Sequence, residues 1–236
     1  MAEPIVVGRI RPPAPAPGGE PVLAGTVAIP VRTALVRTGE DLAGLVAAAV
    51  TGIARPGDVV CLSETAVAIA QGRLIAAETI RPSRLARALA RRAGVLATIN
   101  QPESMQLVID EAGAARVLGA AALHVLALAL LRRRGVFYAL LGATIATIDG
   151  YTGTLPPFER TIVLGPADPD GVARAVAAAC GAPCAIVDAN DLGIAKVLGA
   201  SPGVDRPAVE RALKANPHGN GDEQTPVVVL KLRSGA

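Results

Sequence analysis

Apolar and polar positions fall into blocks along the 236-residue chain, and the period changes from block to block. Val27–Val31 is a short apolar run and predicts a first strand. Leu42, Leu45, Val46, Ala49, Val50 and Ile53 recur at three- and four-residue intervals, which predicts a helix with one core-facing side. Thr38 and Asp41 resemble a capping box at its start, and Pro56-Gly57-Asp58 stops it before a short buried strand, Val59–Leu62. Ser83–Arg92 predicts a second helix, with Leu85 and Leu89 inward and four arginines outward; Pro102–Ala112 predicts a third. Two apolar runs, 123–131 and 136–148, flank the polar turn Arg132–Gly135, and this layout predicts a buried β-hairpin. Asp168-Pro169-Asp170 combines a capping oxygen, a proline at the first helical position and an acid at the positive end of the helix dipole; Gly181 closes that helix. Ala185–Val187 predicts a strand, Asp205 and Pro207 open a last helix to Ala215, and Pro226–Leu232 is the closing strand.

Helices and strands are interspersed without a strict alternation. The pattern therefore predicts an α+β fold, with mixed or antiparallel sheets and flanking helices. Residues 1–25 carry Pro12, Pro13, Pro15, Pro17, Gly18 and Gly19 and read as an irregular arm, leaving 26–236 as the folded domain. Gly150, Gly153, Pro156 and Pro157 mark a sub-boundary near 150–159.

Composition narrows the classes. Hydrophobic residues make up 51% of the chain and charged residues 18%, which excludes intrinsic disorder. The net charge is only +3, aromatics are 2% and there is no Trp, so a nucleic-acid partner has no stacking platform and little electrostatic footprint. Lysine occurs only at 196, 214 and 231, so most cations are arginines; arginine forks suit small anions, although an Ala-, Gly-, Pro- and Arg-rich bias also explains them. Cys61, Cys180 and Cys184 form no disulfide or zinc pattern and read as buried thiols in a reducing compartment. The first residues lack the apolar core of a signal peptide, and a cytoplasmic location is the expectation. Val117–Leu131 is apolar but shorter than the about 20 residues that a spanning helix needs, so no membrane partner is expected.

The sequence carries no P-loop, dinucleotide fingerprint or nucleophile elbow. His124 lies in an apolar run and reads as a packed core residue, while His218 lies in a Gly-rich loop. What the chain does carry is three polar segments beside apolar runs: Asp149–Gly153, Asp188–Gly193 and Asn216–Thr225. Asp149, Asp188, Asn190 and Asp191 offer the carboxylate and amide oxygens that a hard divalent cation takes, provided the two strand ends converge. Asp, Asn and Gly at strand ends also make turns and caps for purely local reasons. Ser63 follows a strand, and Arg73 is either a bidentate anion ligand or a surface arginine after a turn.

Several segments, in order, resemble the coenzyme F420-0:L-glutamate ligase (gamma-glutamyl ligase) family. They are Ile29-Pro30, Gly39–Leu42, Pro56–Val60, Ser63 through Gln71-Gly72-Arg73, Asp149-Gly150, Leu164–Asp170 and Ile186-Val187-Asp188. The resemblance implies an enzyme that uses GTP and Mg²⁺ or Mn²⁺ to join L-glutamate to a carboxylate of a deazaflavin cofactor precursor. It implies metal-binding acids at Asp149 and in 188–191, and a homodimer. On this reading Ser63 and Arg73 contact phosphate or the anionic substrate, and Glu223 and Gln224 complete the site. The chain departs from the family pattern at three places. Glu64-Thr65 stands where the family has a lysine, Asp149–Thr152 lacks the family's Asp-x-Ser-Asn, and no arginine follows Gly193. The alternative is a ligase-fold protein that binds nucleotide, metal or a small anion without catalysis.

Overall fold

A computed structural model describes residues 26–93, 100–132, 136–141, 148, 158, 160–190, 193–219 and 223–232. Five strands form the main sheet: β1 (Thr26–Val31), β2 (Val59–Ser63), β5 (Cys184–Asn190), β6 (Ile194–Ala200) and β7 (Val227–Leu232). Their order is β1-β7-β2-β5-β6; β2 and β5 run parallel and the other neighbours antiparallel. A second, two-stranded antiparallel sheet joins β3 (Leu74–Ala76) to β4 (Thr161–Val163). The fold is α+β with a mixed main sheet.

The centre of the sheet reads as continuous apolar sequence because both of its faces are covered. On one face, Val60, Leu62, Ile186, Val227 and Val229 pack against α1 (Leu42–Val50), α2 (Glu64–Ala70) and α7 (Pro169–Cys180). On the other, Cys61, Ala185, Val187, Val228 and Leu230 pack against Val209, Ala212 and Leu213 from α8 (Arg206–Ala212) and its end. Leu62, Ile186 and Leu230 are almost wholly buried, each worth about 1.5–3 kcal/mol of transfer free energy. A third cluster joins α3 (Arg84–Ala90), α4 (Pro102–Ala112), α5 (Ala114–Leu131) and α6 (Val136–Leu141) around Met105, Val108, Val117 and Ile162.

Local chemistry sets the ends of these elements. Ser83, Asp168 and Asp205 cap α3, α7 and α8, accepting from the amides of Ala86, Gly171 and Ala208. α1 is capped by Asp41, which accepts from Gly44, whereas Thr38 donates to the Ile69 carbonyl and takes no part in that cap. Lys231 on β7 reaches Asp58 at 2.5 Å and also the Ile53 carbonyl, tying the turn after α1 to the sheet.

The apolar hairpin predicted at 123–131 and 136–148 is a correction. Residues 114–131 and 136–141 are helices, and most of 142–148 lies outside the described residues. Alanine and leucine dominate α5 and favour helix, and the stretch lacks the β-branched residues of a strand apart from Val117 and Val125. By length and composition α5 is apolar enough to cross a membrane, with a mean hydropathy of 2.0. α2, β3, β4 and β6 are elements that the pattern of apolar positions did not announce.

Candidate functional site

The topology gathers polar groups at one end of the main sheet. β2 and β5 both finish there, with Ser63 in register beside Val187 and Asp188 one residue further along. β7 starts there, since Leu62 pairs with Val227 and the Ser63 amide donates to the Pro226 carbonyl at 2.8 Å. β1 ends there as well: Val31 pairs with Val227, and the Thr33 amide donates to the Gln224 carbonyl at 3.1 Å. β6 begins at the same end, where Lys196 lies in register with Asp188. Ligands of open α/β sheets bind outside the carboxyl ends of adjacent parallel strands, and β2 and β5 form such a pair.

Asp188, Ala189 and Asn190 belong to β5 itself and not to a loop after it. Opposite Ile186 and Val187 the register shifts by one residue, with Leu198 of β6 as the extra residue of a β-bulge. Asp188 and Asn190 are two residues apart on a strand and so share a face. The Asn190 side-chain oxygen accepts from the Ile194 amide at 3.3 Å, which fixes it across the hairpin. Asp188 is half-buried; loss of water raises its pKa, and the Lys196 ammonium opposite offsets part of that rise. A carboxylate held in this state gains from an added positive charge.

These oxygen donors suit Mg²⁺ or Mn²⁺ in kind. Asp149 and Asp191, the other two residues expected to hold a metal, lie outside the described residues. Among the described residues no three His, Cys, Asp or Glu side chains converge as a metal-binding group.

Glu223 and Gln224 shortly precede β7. Gln224 has a positive φ of 53°, and the Glu223 carboxylate packs so closely on Gly219 that a Cβ there would come within 2.7 Å of its carbon. The Thr225 hydroxyl donates to the His218 carbonyl at 2.5 Å, and His218 Nδ1 lies 3.3 Å from the Thr225 carbonyl. His218 is buried, and burial pushes its pKa down to about 4, so it is neutral at pH 7.

Arg73 lies elsewhere. It follows the far end of α2, a helix about 10 Å long that starts at Ser63. Its Nε donates to the Gly165 carbonyl, and its own carbonyl accepts from the Leu164 amide at 3.0 Å. Gln71 makes a reciprocal pair with the Ala167 backbone at 2.8 and 2.7 Å. Gln71 and Arg73 thus clamp the 164–167 segment that leads into α7.

Lys196 was not among the residues nominated from sequence. The only signal for it was the charge itself, one of three lysines, because β6 was not recognised as a strand. Cys61 and Cys184 are buried thiols whose pKa values burial raises, which makes them poor nucleophiles.

No curated protein matches the chain. A family model described as F420-0:Gamma-glutamyl ligase matches residues 30–185, from β1 to the first two residues of β5, and so takes in Ser63 and Arg73 and ends before Asp188, Asn190, Lys196 and the 223–226 segment. With well over half of its length matched, the chain belongs to the F420-0:gamma-glutamyl ligase family.

Proposed function

We propose that this protein is a nucleotide- and divalent-metal-dependent ligase that joins L-glutamate to a carboxylate of a coenzyme F420 precursor or a related small acid, with GTP as co-substrate. The observation that carries the reading is the convergence of Ser63, Asp188, Asn190, Lys196 and the 223–226 segment at one sheet end. That convergence occurs in a chain of the gamma-glutamyl ligase family. Membership supports a glutamate ligase role; the nucleotide, the metal and the acceptor are the proposal.

In this reading the γ-phosphoryl group passes to the acceptor carboxylate, and the nucleoside diphosphate leaves. The glutamate amine then attacks the acyl phosphate, loses a proton and expels inorganic phosphate. Asp188 and Asn190, with Asp149 and Asp191, would hold the divalent cation, which when bound neutralises phosphate charge. Lys196 offsets negative charge beside Asp188, Ser63 contacts phosphate or the anionic substrate, and Glu223 and Gln224 border the acceptor. Arg73 acts from the other end of α2 by fixing the 164–167 segment. A homodimer in the cytoplasm, with small molecules as its other partners, completes the proposal.

Thr65, at the position of the family's lysine, favours one second reading, in which nucleotide binds without turnover. Nucleotide binding with no release of diphosphate or phosphate would establish it.

Asp188→Asn tests the site directly. The variant is expected to bind Mn²⁺ at least about tenfold more weakly by calorimetry. It is also expected to melt at a higher temperature near neutral pH, because it removes a carboxylate that burial disfavours. Unchanged Mn²⁺ affinity removes Asp188 from the metal site.

A further inference from the structure

An amide-forming reaction needs a group for its incoming amine. The α-nitrogen of L-glutamate is an ammonium at neutral pH, and an ammonium has no electron pair with which to attack an acyl phosphate. A carboxylate beside the acceptor binds such an ammonium and takes its proton. The described carboxylates at the site end of the sheet differ in exposure. Asp188 is half-buried and stands opposite the Lys196 ammonium. Glu64 opens α2 and is buried. Glu223 is exposed.

The backbone that carries Glu223 is tied at each following residue. The Gln224 carbonyl accepts from the Thr33 amide at 3.1 Å and the Pro226 carbonyl from the Ser63 amide at 2.8 Å. The Thr225 carbonyl between them lies 3.3 Å from His218 Nδ1; a carbonyl only accepts, so Nδ1 carries the proton. The Thr225 hydroxyl donates back to the His218 carbonyl at 2.5 Å, which makes the pair reciprocal. His218 in turn sits on two successive turns after α8. The Asn216 amide donates to the Leu213 carbonyl at 2.9 Å and the Gly219 amide to the Asn216 carbonyl at 3.0 Å, and Leu213 is wholly buried. Gly219, with a φ of 73°, sets its bare Cα against the Glu223 carboxylate, where a Cβ would come within 2.8 and 3.0 Å of the two oxygens.

We propose, resting on the ligase reading, that Glu223 is the catalytic carboxylate that receives the amino-acid amine, and that His218 is the positioning residue that holds it beside the acceptor. Glu223 binds the α-ammonium and accepts one proton from it. The freed amine attacks the carbonyl carbon of the acyl phosphate; the C–N bond forms, the C–O bond to phosphate breaks, and the second nitrogen proton leaves with the phosphate. Asp188 serves this role less well because Lys196 opposes its charge, and Glu64 because an ammonium would have to be stripped of water to reach it. The 216–226 segment lies beyond residue 185, where the family match ends, so the role is carried by this chain's own geometry.

The test compares two amines in the complete reaction with GTP, Mn²⁺ and the deazaflavin precursor. One is L-glutamate; the other is hydroxylamine, which is largely uncharged at neutral pH and traps an acyl phosphate as a hydroxamate. Glu223→Gln is expected to lower kcat/KM for L-glutamate about a hundredfold, with a far smaller fall in hydroxamate formation. His218→Leu is expected to lower kcat/KM for L-glutamate about tenfold, and His218→Asn, whose amide nitrogen can donate to the Thr225 carbonyl in place of Nδ1, to restore it. Equal losses with both amines in Glu223→Gln overturn the proposal and leave the ligase reading standing, because Glu223 then acts before the acyl phosphate forms. Unchanged glutamate kinetics in Glu223→Gln overturn it as well. His218→Asn as impaired as His218→Leu removes His218 as the positioning residue. A wild-type chain that yields no glutamylated product, hydroxamate or diphosphate overturns the ligase reading itself, and the proposal with it.

Discussion

His218 couples the loop before β7 to pH. Its imidazole is buried, and Nε2 has no hydrogen-bond partner among the described residues. The folded state therefore resists protonation until about pH 4, while the unfolded imidazole takes a proton near 6.5. The depressed value belongs to a base, so stability is fully present above pH 6.5 and falls as the pH drops towards 4. The loss reaches roughly 3 kcal/mol at the bottom of that window. Urea unfolding of the wild type at pH 7 and pH 5 is expected to show the drop, and His218→Leu to flatten it; equal slopes would mean that the imidazole is not buried neutral. At this scale residue chemistry was legible where a residue acts on its own neighbours. Asp168 was readable as a cap, and Asp205 as a helix start, because a cap needs only a short polar side chain and the next turn of helix. Asp188 was readable as an oxygen donor, but its partner Lys196 was not, because their pairing depends on strand register between β5 and β6.

At the scale of elements, the contact between the bulged strand β6 and α7 decides where the end of β5 goes. Gly199 pairs with Ile186, and any Cβ at 199 would overlap the Pro169 carbonyl and come within 2.6 Å of the Asp170 nitrogen. Backbone cannot rotate away as a side chain can, so the helix start would have to shift. Gly199→Ala is expected to cost about 1–3 kcal/mol, seen as a lower urea midpoint with an unchanged slope. An unaltered midpoint would show that α7 does not sit as closely as described. The same element pair shows why parts of the fold escaped prediction. β6 alternates weakly, with Lys196 and Gly199 interrupting its apolar positions, so its strand character comes from pairing with β5. α5 escaped for the opposite reason. Its outward leucines remove the polar face that marks a helix, and an all-apolar run fits strand or helix equally until propensity is weighed.

At the scale of the molecule, the α+β class and the chain order of most elements were legible, because helix caps and apolar periods are local signals. The predicted reason for an antiparallel pair, a hairpin at 132–135, was not the real one. The antiparallel pairs are β1 with β7, β7 with β2, and β5 with β6. Two of these join strands far apart in sequence, and no local signal encodes such a pairing. The candidate site has the same character: Ser63 meets Asp188 through the parallel pairing of β2 with β5, and Gln224 joins them through β7, which inserts between β1 and β2. The measurement that tests the account most directly is mass spectrometry of a reaction containing the purified chain, GTP, Mn²⁺, L-glutamate and the deazaflavin precursor, with nucleoside diphosphate assayed in parallel. The account predicts a product heavier by one glutamyl residue, formed one-to-one with diphosphate and lost in Asp188→Asn; nucleotide binding with neither product nor diphosphate would contradict it.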